Sequence, residues 1–476
     1  MNINTLAIDL GASSGRAMLG SYDGKAITYK ELLRWDNNPS EIEGELCWDF
    51  DLIMDNVYKA ISLAAPYDIE SIGIDSWGVD YGLLSKGKLI HRVRHYRDER
   101  AQDIFDSYKD KCALYAATGI QPMRINTMFS LMDDKRKGLL DKADKVLFVP
   151  DLIAYHLTGE YHCETSIAST SGLLGDDGYD WNFPLIDSLK LPRSIFPKVM
   201  NNCGVYGYVT EDISFRLGVG NIPVCAVCCH DTASAAACVD GKDAFLSLGT
   251  WALLGVRQPH TDTSDSDYTN ERGLLGEVTY LTNITGMWIT QQIRRALKSR
   301  GEEYSFAQLE EECNFNKLPS LIDVSDSAFD NPLDMLEAID GYCESTNQPV
   351  PESAGDYIAT AYASLALKIG RYFNKLSRNR DIRKITILGG GGQSAKLCSL
   401  IASACDTQIS IGHSESTVLG NILIQLYTLG YLPDIDTGLH ALPSSGVTYL
   451  PDDTDLMDEL YERYDRILAA RASLNK

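Results

Sequence analysis

The most constraining feature of this chain is a strand–turn–strand unit that occurs once in each half. Leu6-Ala7-Ile8-Asp9-Leu10 is a short apolar strand, Gly11-Ala12-Ser13-Ser14-Gly15 a turn of small residues, and Arg16-Ala17-Met18-Leu19-Gly20 a returning strand. Asp243-Ala244-Phe245-Leu246-Ser247-Leu248 runs in the same way into Gly249-Thr250 and returns as Trp251-Ala252-Leu253-Leu254-Gly255-Val256. Gly249 matches Gly11, and Ser247 takes the place of Asp9. The pairing predicts two similar domains, 1–240 and 241–476, each offering a hairpin to one shared cleft. A chain of 476 residues is long enough for two such cores.

Around these hairpins the pattern is mixed. Ile72-Gly73-Ile74-Asp75 reads as a buried strand ending in Ser76-Trp77-Gly78, and Arg97 to Gly220 as mostly helical segments and loops. Lys384-Ile385-Thr386-Ile387-Leu388 is a strand, Gly389 to Gly392 a turn, and Ser394 the start of a helix. Leu460, Tyr464, Ile467 and Leu468 recur at helical spacing near the C-terminus.

A net charge of −23 argues against nucleic acid or an anionic membrane as partner, since both reward a basic face. It leaves a nucleotide open, because backbone amides and a metal ion can hold phosphates locally. No apolar run approaches the ~20 residues of a membrane helix, and Met1-Asn2-Ile3-Asn4 lacks the basic flank of a signal peptide, so a cytoplasmic protein is expected. Twelve cysteines are spread thinly along the chain. Cys225, Cys228 and Cys229 beside His230 have metal-like spacing, but no second ligand pair follows. The stretch Ile222 to Cys229 reads as a buried strand with reduced thiols.

Phosphoryl transfer needs backbone donors for phosphate, a carboxylate near Mg²⁺, and a group that takes the acceptor's proton. Gly11 admits close backbone approach, Ser13 and Ser14 add hydroxyl donors, and Asp9 at the strand end is placed for the metal. An ordinary tight hairpin explains the same small residues. Gly249-Thr250 offers a second phosphate clamp. The four glycines 389–392 lack the Gly-Lys-Ser/Thr ending of a Walker motif, yet place amide donors at a helix start. Asp231, in His230-Asp231-Thr232-Ala233-Ser234-Ala235, follows an apolar strand; it suits a general base and equally an N-cap of a helix from Thr232 to Val239.

Together these motifs resemble the FGGY family of carbohydrate kinases, in the superfamily of actin, hexokinase and the heat-shock chaperone ATPases. The resemblance runs nearly end to end and rests on Ala7 to Arg16, Ser71 to Asp80, His230 to Ala235, Ser247 to Trp251 and Asn283 to Gln291. It implies an α/β fold of two RNase-H-like domains, each a mixed five-stranded sheet flanked by helices, with a cleft between them. It implies Asp231 as the base, and Trp77, Gly78, Arg97, His230 and Thr232 against a small sugar. Gly11, Ala12, Ser13, Ser14, Gly15, Thr250, Asn283, Gln291 and Gly391 are implied for ATP, with Asp9 for Mg²⁺. The expected reaction phosphorylates the terminal primary hydroxyl of a 6-deoxy ketose. Another ketose, or ATP hydrolysis of the actin or chaperone type without sugar, is the alternative.

Overall fold

The computed structural model describes residues 2–315, 320–443, 446–452 and 454–474. Two compact units emerge, and they are not contiguous in sequence. The first comprises Met1–Asp240 together with Arg257–Tyr280 and Glu415–Pro443; the second comprises Gly241–Val256, Leu281–Ser414 and Ser444–Lys476.

The first unit is built on a sheet in the order Gly204–Tyr208, Pro223–Ala226, Ile72–Ser76, Ile3–Leu10, Ser14–Tyr22, Ile27–Asp36. Strand Ile3–Leu10 pairs parallel with Ile72–Ser76 and antiparallel with Ser14–Tyr22. Its residues Thr5 to Leu10 are all buried, as a central strand covered on both faces requires. Five strands answer the expected sheet, and Gly204–Tyr208 adds an antiparallel sixth at the edge. The region 97–220 is less helical than its sequence suggests, because Lys145–Phe148, His162–Glu164 and Lys198–Met200 are also strands. Strands of three or four residues carry too few alternations to register as a period.

Helix Phe50–Ala64 illustrates how the flanking helices arise. Asp49 accepts the amide of Leu52 at 3.0 Å as its N-cap. Phe50, Ile53, Met54, Val57, Ala60, Ile61 and Ala64 recur at three and four residues and form the buried face.

In the second unit the strands run Val278–Thr285, Trp251–Gln258, Ala244–Leu248, Ile385–Leu388, Ile409–Ile411, Thr448–Tyr449. Ala244–Leu248 is antiparallel to its hairpin partner and parallel to Ile385–Leu388, as Ile3–Leu10 is in the first unit. The C-terminal helix Thr454–Leu474 buries Leu460, Tyr464 and Ile467 and half-buries Leu468. Among the described residues, no helix is long and apolar enough to cross a membrane.

Candidate active site

The register of the central strands places three charged residues in a row. Asp9 lies opposite Arg16 on one neighbour and opposite Asp75 on the other. Arg16 donates to Oδ2 of Asp9 from Nε at 2.8 Å and from a terminal nitrogen at 2.5 Å, and pairs with Glu415. Asn421 donates to Oδ2 of Asp75 at 2.6 Å, while Oδ1 of Asp75 is buried without a hydrogen-bond partner. Burial pushes the Asp9 carboxyl up against the pull of Arg16; burial and then the charge of Asp9 push Asp75 well up.

Two crowded carboxylates with one orphaned oxygen suit a hydrated divalent cation, since Mg²⁺ takes one or two carboxylates and fills its shell with water and phosphate oxygens. Among the described residues there is no closed cluster of three or more metal-binding side chains. The second unit lacks this chemistry at the equivalent place. There Ser247 lies between Leu253 and Leu388.

The turn after Asp9 is closed by Gly11 N–H to Ser14 C=O at 2.9 Å. Asn37, which the sequence reading overlooked, braces it by donating its side chain to Gly11 C=O at 2.9 Å and its amide to Ser13 C=O at 3.0 Å. Ser13 is exposed and Ala12 half-buried. Gly15 has a packing reason to be glycine, because a Cβ there would enter the Trp35 ring.

Strand Ile72–Ser76 delivers Trp77 and Gly78. Val79 has φ +68°, rare for a β-branched residue, and both its backbone groups are tied: its N–H to Thr170 at 3.0 Å, its C=O to Thr127 at 2.7 Å. Oδ2 of Asp80 accepts the indole N–H of Trp48 at 2.7 Å, that of Trp77 at 2.9 Å, and the amide of Tyr96 at 3.2 Å. Burial, opposed by these donors, raises its pKa to about 7. The Trp48 ring packs at a tilt against Trp77 and His95, with centroids 4.1 Å and 4.3 Å away. Arg97 is exposed, with its guanidinium 5.7 Å from the Tyr96 ring.

Asp231 begins the helix Asp231–Ala236, whose N-cap is His230. Asp231 is therefore the first helical residue rather than the cap, and the helix ends three residues short of Val239. Its Oδ1 accepts the Thr232 amide at 2.6 Å and the Thr232 hydroxyl at 3.1 Å, and lies 3.4 Å from Nε2 of His230. Oδ2 takes no hydrogen bond among the described residues, and the side chain keeps 32% of its exposure. His230 bridges to Ser76 in parallel, which sets Asp231 beside the end of the Trp77-Gly78 strand. Cys225, Cys228 and Cys229 are buried free thiols, all pushed up by desolvation.

Buried Glu164 joins these elements. It caps the helix Thr165–Ser169 by accepting the Ser166 amide at 2.9 Å, and also accepts the Cys229 amide at 3.1 Å. Its sequence neighbours gave no hint of that role. Asp75 was more legible, since Ile8-Asp9 and Ile74-Asp75 repeat one strand ending.

In the second unit, Thr250 C=O accepts the Gly286 amide at 3.1 Å and Gly249 C=O the Met287 amide at 2.8 Å. The exposed Thr250 hydroxyl lies 3.5 Å from Oε1 of Gln291, one turn into the helix Trp288–Ser299. Gly286 is glycine because a Cβ there would stand 2.5 Å from the Trp251 backbone. Asn283 is half-buried in its strand. Gly389 has φ +85°, and Gly391 is buried against Leu248.

Residues 4–238 match the FGGY family of carbohydrate kinases, N-terminal domain, and residues 244–429 match the C-terminal domain of that family. The chain is 36% identical to the rhamnulokinase of Bacteroides thetaiotaomicron over 97% of its length and 98% of that protein. It is 31% identical to the rhamnulokinase of Lactiplantibacillus plantarum over 98% of each. Its fold is similar to that of a xylulose kinase from Lactobacillus acidophilus, with a TM-score of 0.84 over 98% of both chains at 16% identity.

Proposed function

The chain belongs to the FGGY family of carbohydrate kinases, and from that membership we propose that it phosphorylates L-rhamnulose at its terminal primary hydroxyl, giving L-rhamnulose 1-phosphate and ADP. The observation that carries this reading is the state of Asp231: one oxygen held by two donors of Thr232 and facing Nε2 of His230, the other open, beside the Trp77-Gly78 strand. The rhamnulokinase relatives supply the choice of sugar.

In this mechanism Trp77, Gly78, Arg97, His230 and Thr232 hold the ketose. Oδ2 of Asp231 accepts the hydroxyl proton as that oxygen attacks the γ-phosphorus of ATP, and ADP leaves. The turn Gly11–Gly15 donates to phosphate the amides that the hairpin itself leaves free, together with its serine hydroxyls, with Thr250 and Gln291 as further donors. Asn283 and Gly391 serve the nucleoside. Asp9, with Asp75 beside it, holds Mg²⁺, which supplies charge neutralisation of the phosphates when bound. The acidic chain acts on this small sugar in the cytoplasm, where ATP is available.

General-base assistance is worth ~10²–10⁴-fold, so Asp231→Asn should lose most sugar-dependent ADP release while retaining ATP affinity. Turnover near that of the native enzyme refutes the role of Asp231. A panel of ketoses tests the substrate: L-rhamnulose should give the highest kcat/KM. A higher value for xylulose or fuculose refutes the choice of sugar, and equal ATP turnover without sugar refutes the kinase reading itself.

A further inference from the structure

His230 is enclosed between two carboxylates on different elements. Its Nδ1 lies 3.2 Å from Oε2 of Glu271, and its Nε2 lies 3.4 Å from Oδ1 of Asp231. The side chains of His230 and Glu271 keep only 11% and 15% of their exposure, so water screens this line of charges weakly.

Glu271 sits far along the sequence, in the segment 257–280 that belongs to the first unit. Its neighbours fix it there. The Asn270 amide and side chain both donate to Gly119 C=O at 2.9 Å, and the Arg272 amide donates to the Ser169 hydroxyl at 2.9 Å. Glu271 is thus held between two pinned residues of the strand Thr269–Arg272.

A neutral imidazole carries one N–H. If that proton bonds Glu271 from Nδ1, the Nε2 lone pair faces the Asp231 carboxylate, and the contact is repulsive. Only the imidazolium satisfies both sides. We infer that Glu271 is a positioning residue: it keeps His230 doubly protonated, so that Nε2–H clamps Oδ1 of Asp231 and leaves Oδ2 as the proton acceptor.

The clamp rests on the general-base reading of Asp231. The groups that bear most on the ring are Glu271 from its strand, Asp231 from the ring's own helix, and Glu164 from the cap of Thr165–Ser169. Burial pushes the imidazole down, the three carboxylates push it up, and the balance stands at about 9. The backbone amide of His230 is occupied separately, donating to the Ser166 hydroxyl at 3.1 Å.

Glu271→Gln keeps the size of the side chain and an oxygen beside Nδ1 and removes the charge. The His230 ring signal, assigned with a His230→Gln variant and followed by NMR in the full-length enzyme without substrate, should titrate at least ~1 pH unit lower in Glu271→Gln. The alkaline limb of kcat/KM should shift by the same amount, so that near pH 9 the variant loses about tenfold relative to its own neutral value. Glu271→Asp retains the charge and should keep the native profile to within about half a unit. An unmoved His230 titration in Glu271→Gln overturns the inference whatever the activity, as does a moved titration with an unmoved pH–rate profile. Absence of sugar-dependent ADP release by the native enzyme overturns the sugar-kinase reading instead.

Discussion

Asp80 gathers three donors on one carboxylate oxygen and so fixes two indole rings at once. Removing it orphans both indole N–H groups in a buried setting, at about 1–3 kcal/mol each. Asp80→Ala should therefore lower stability by about 2–6 kcal/mol in urea unfolding and raise the KM for sugar by about tenfold. Asp80→Asn keeps an acceptor oxygen and should retain most of the stability. Native-like unfolding and KM in Asp80→Ala would show that the tryptophans hold their places without it. At this scale the sequence was partly readable. Asp9 and Asp231 stood out because a carboxylate at the end of an apolar strand needs a partner or a task. Glu164, Glu271 and Asn37 lie in polar stretches, where an acid or an amide is unremarkable. Asn202 and Cys229, which Glu164 binds, are 38 and 65 residues away. Val79 was invisible for another reason: nothing in its residue type announces a positive φ.

Helix Ser416–Thr428 is buried over every residue from Val418 to Leu426, and two of those residues are polar. Gln425 donates to Oδ1 of Asn421 at 2.7 Å and accepts from the Ser71 hydroxyl at 2.6 Å; Asn421 passes the chain on to Asp75. Both buried amide side chains find partners, as burial demands. The helix comes this close because small residues face it. A Cβ on Gly73 would strike Asn421, and one on Gly420 would strike the backbone carbonyl of Ser234 in the Asp231–Ala236 helix. A backbone group cannot swing aside, so Gly420→Ala should cost about 3 kcal/mol and lower kcat by displacing that helix. Unaltered denaturation and turnover would mean that the two helices slide apart freely. Strands and helices with clear periods were legible in advance, including both hairpins and the C-terminal helix. The partnership of Ser416–Thr428 with the first unit was not, because hydrophobicity marks a helix as buried without saying against what.

For the whole molecule, several buried groups bind protons more tightly folded than unfolded. Burial raises Asp80 to about 7 and Asp151 to about 8 from 3.8, and the carboxylates around His230 raise it to about 9 from 6.5. For each, the stability present below the unfolded value is lost as pH rises through the folded one. For the two aspartates that loss runs from about pH 4 to 8, and for His230 from about pH 6.5 to 9. The urea midpoint should accordingly fall between pH 5 and 9, and a midpoint that rises over this range contradicts the account. The repeat of the two sheets was legible from two hairpins alone. The asymmetry between them was legible only in part: Ser247 for Asp9 could be read directly, whereas Leu253 and Leu388 standing where Arg16 and Asp75 stand required the strand register.

The return of Glu415–Pro443 to the first unit also bears on how the chain is made. A ribosome releases the N-terminal sheet long before it has synthesised Glu415, Asn421 and Gln425. During that interval Asp75 lacks its amide donor and the surface that Ile422, Leu423 and Leu426 later cover is open. The nascent first unit must wait for the synthesis of Glu415–Pro443 before it closes, and meanwhile it presents apolar surface of the kind that holding chaperones bind.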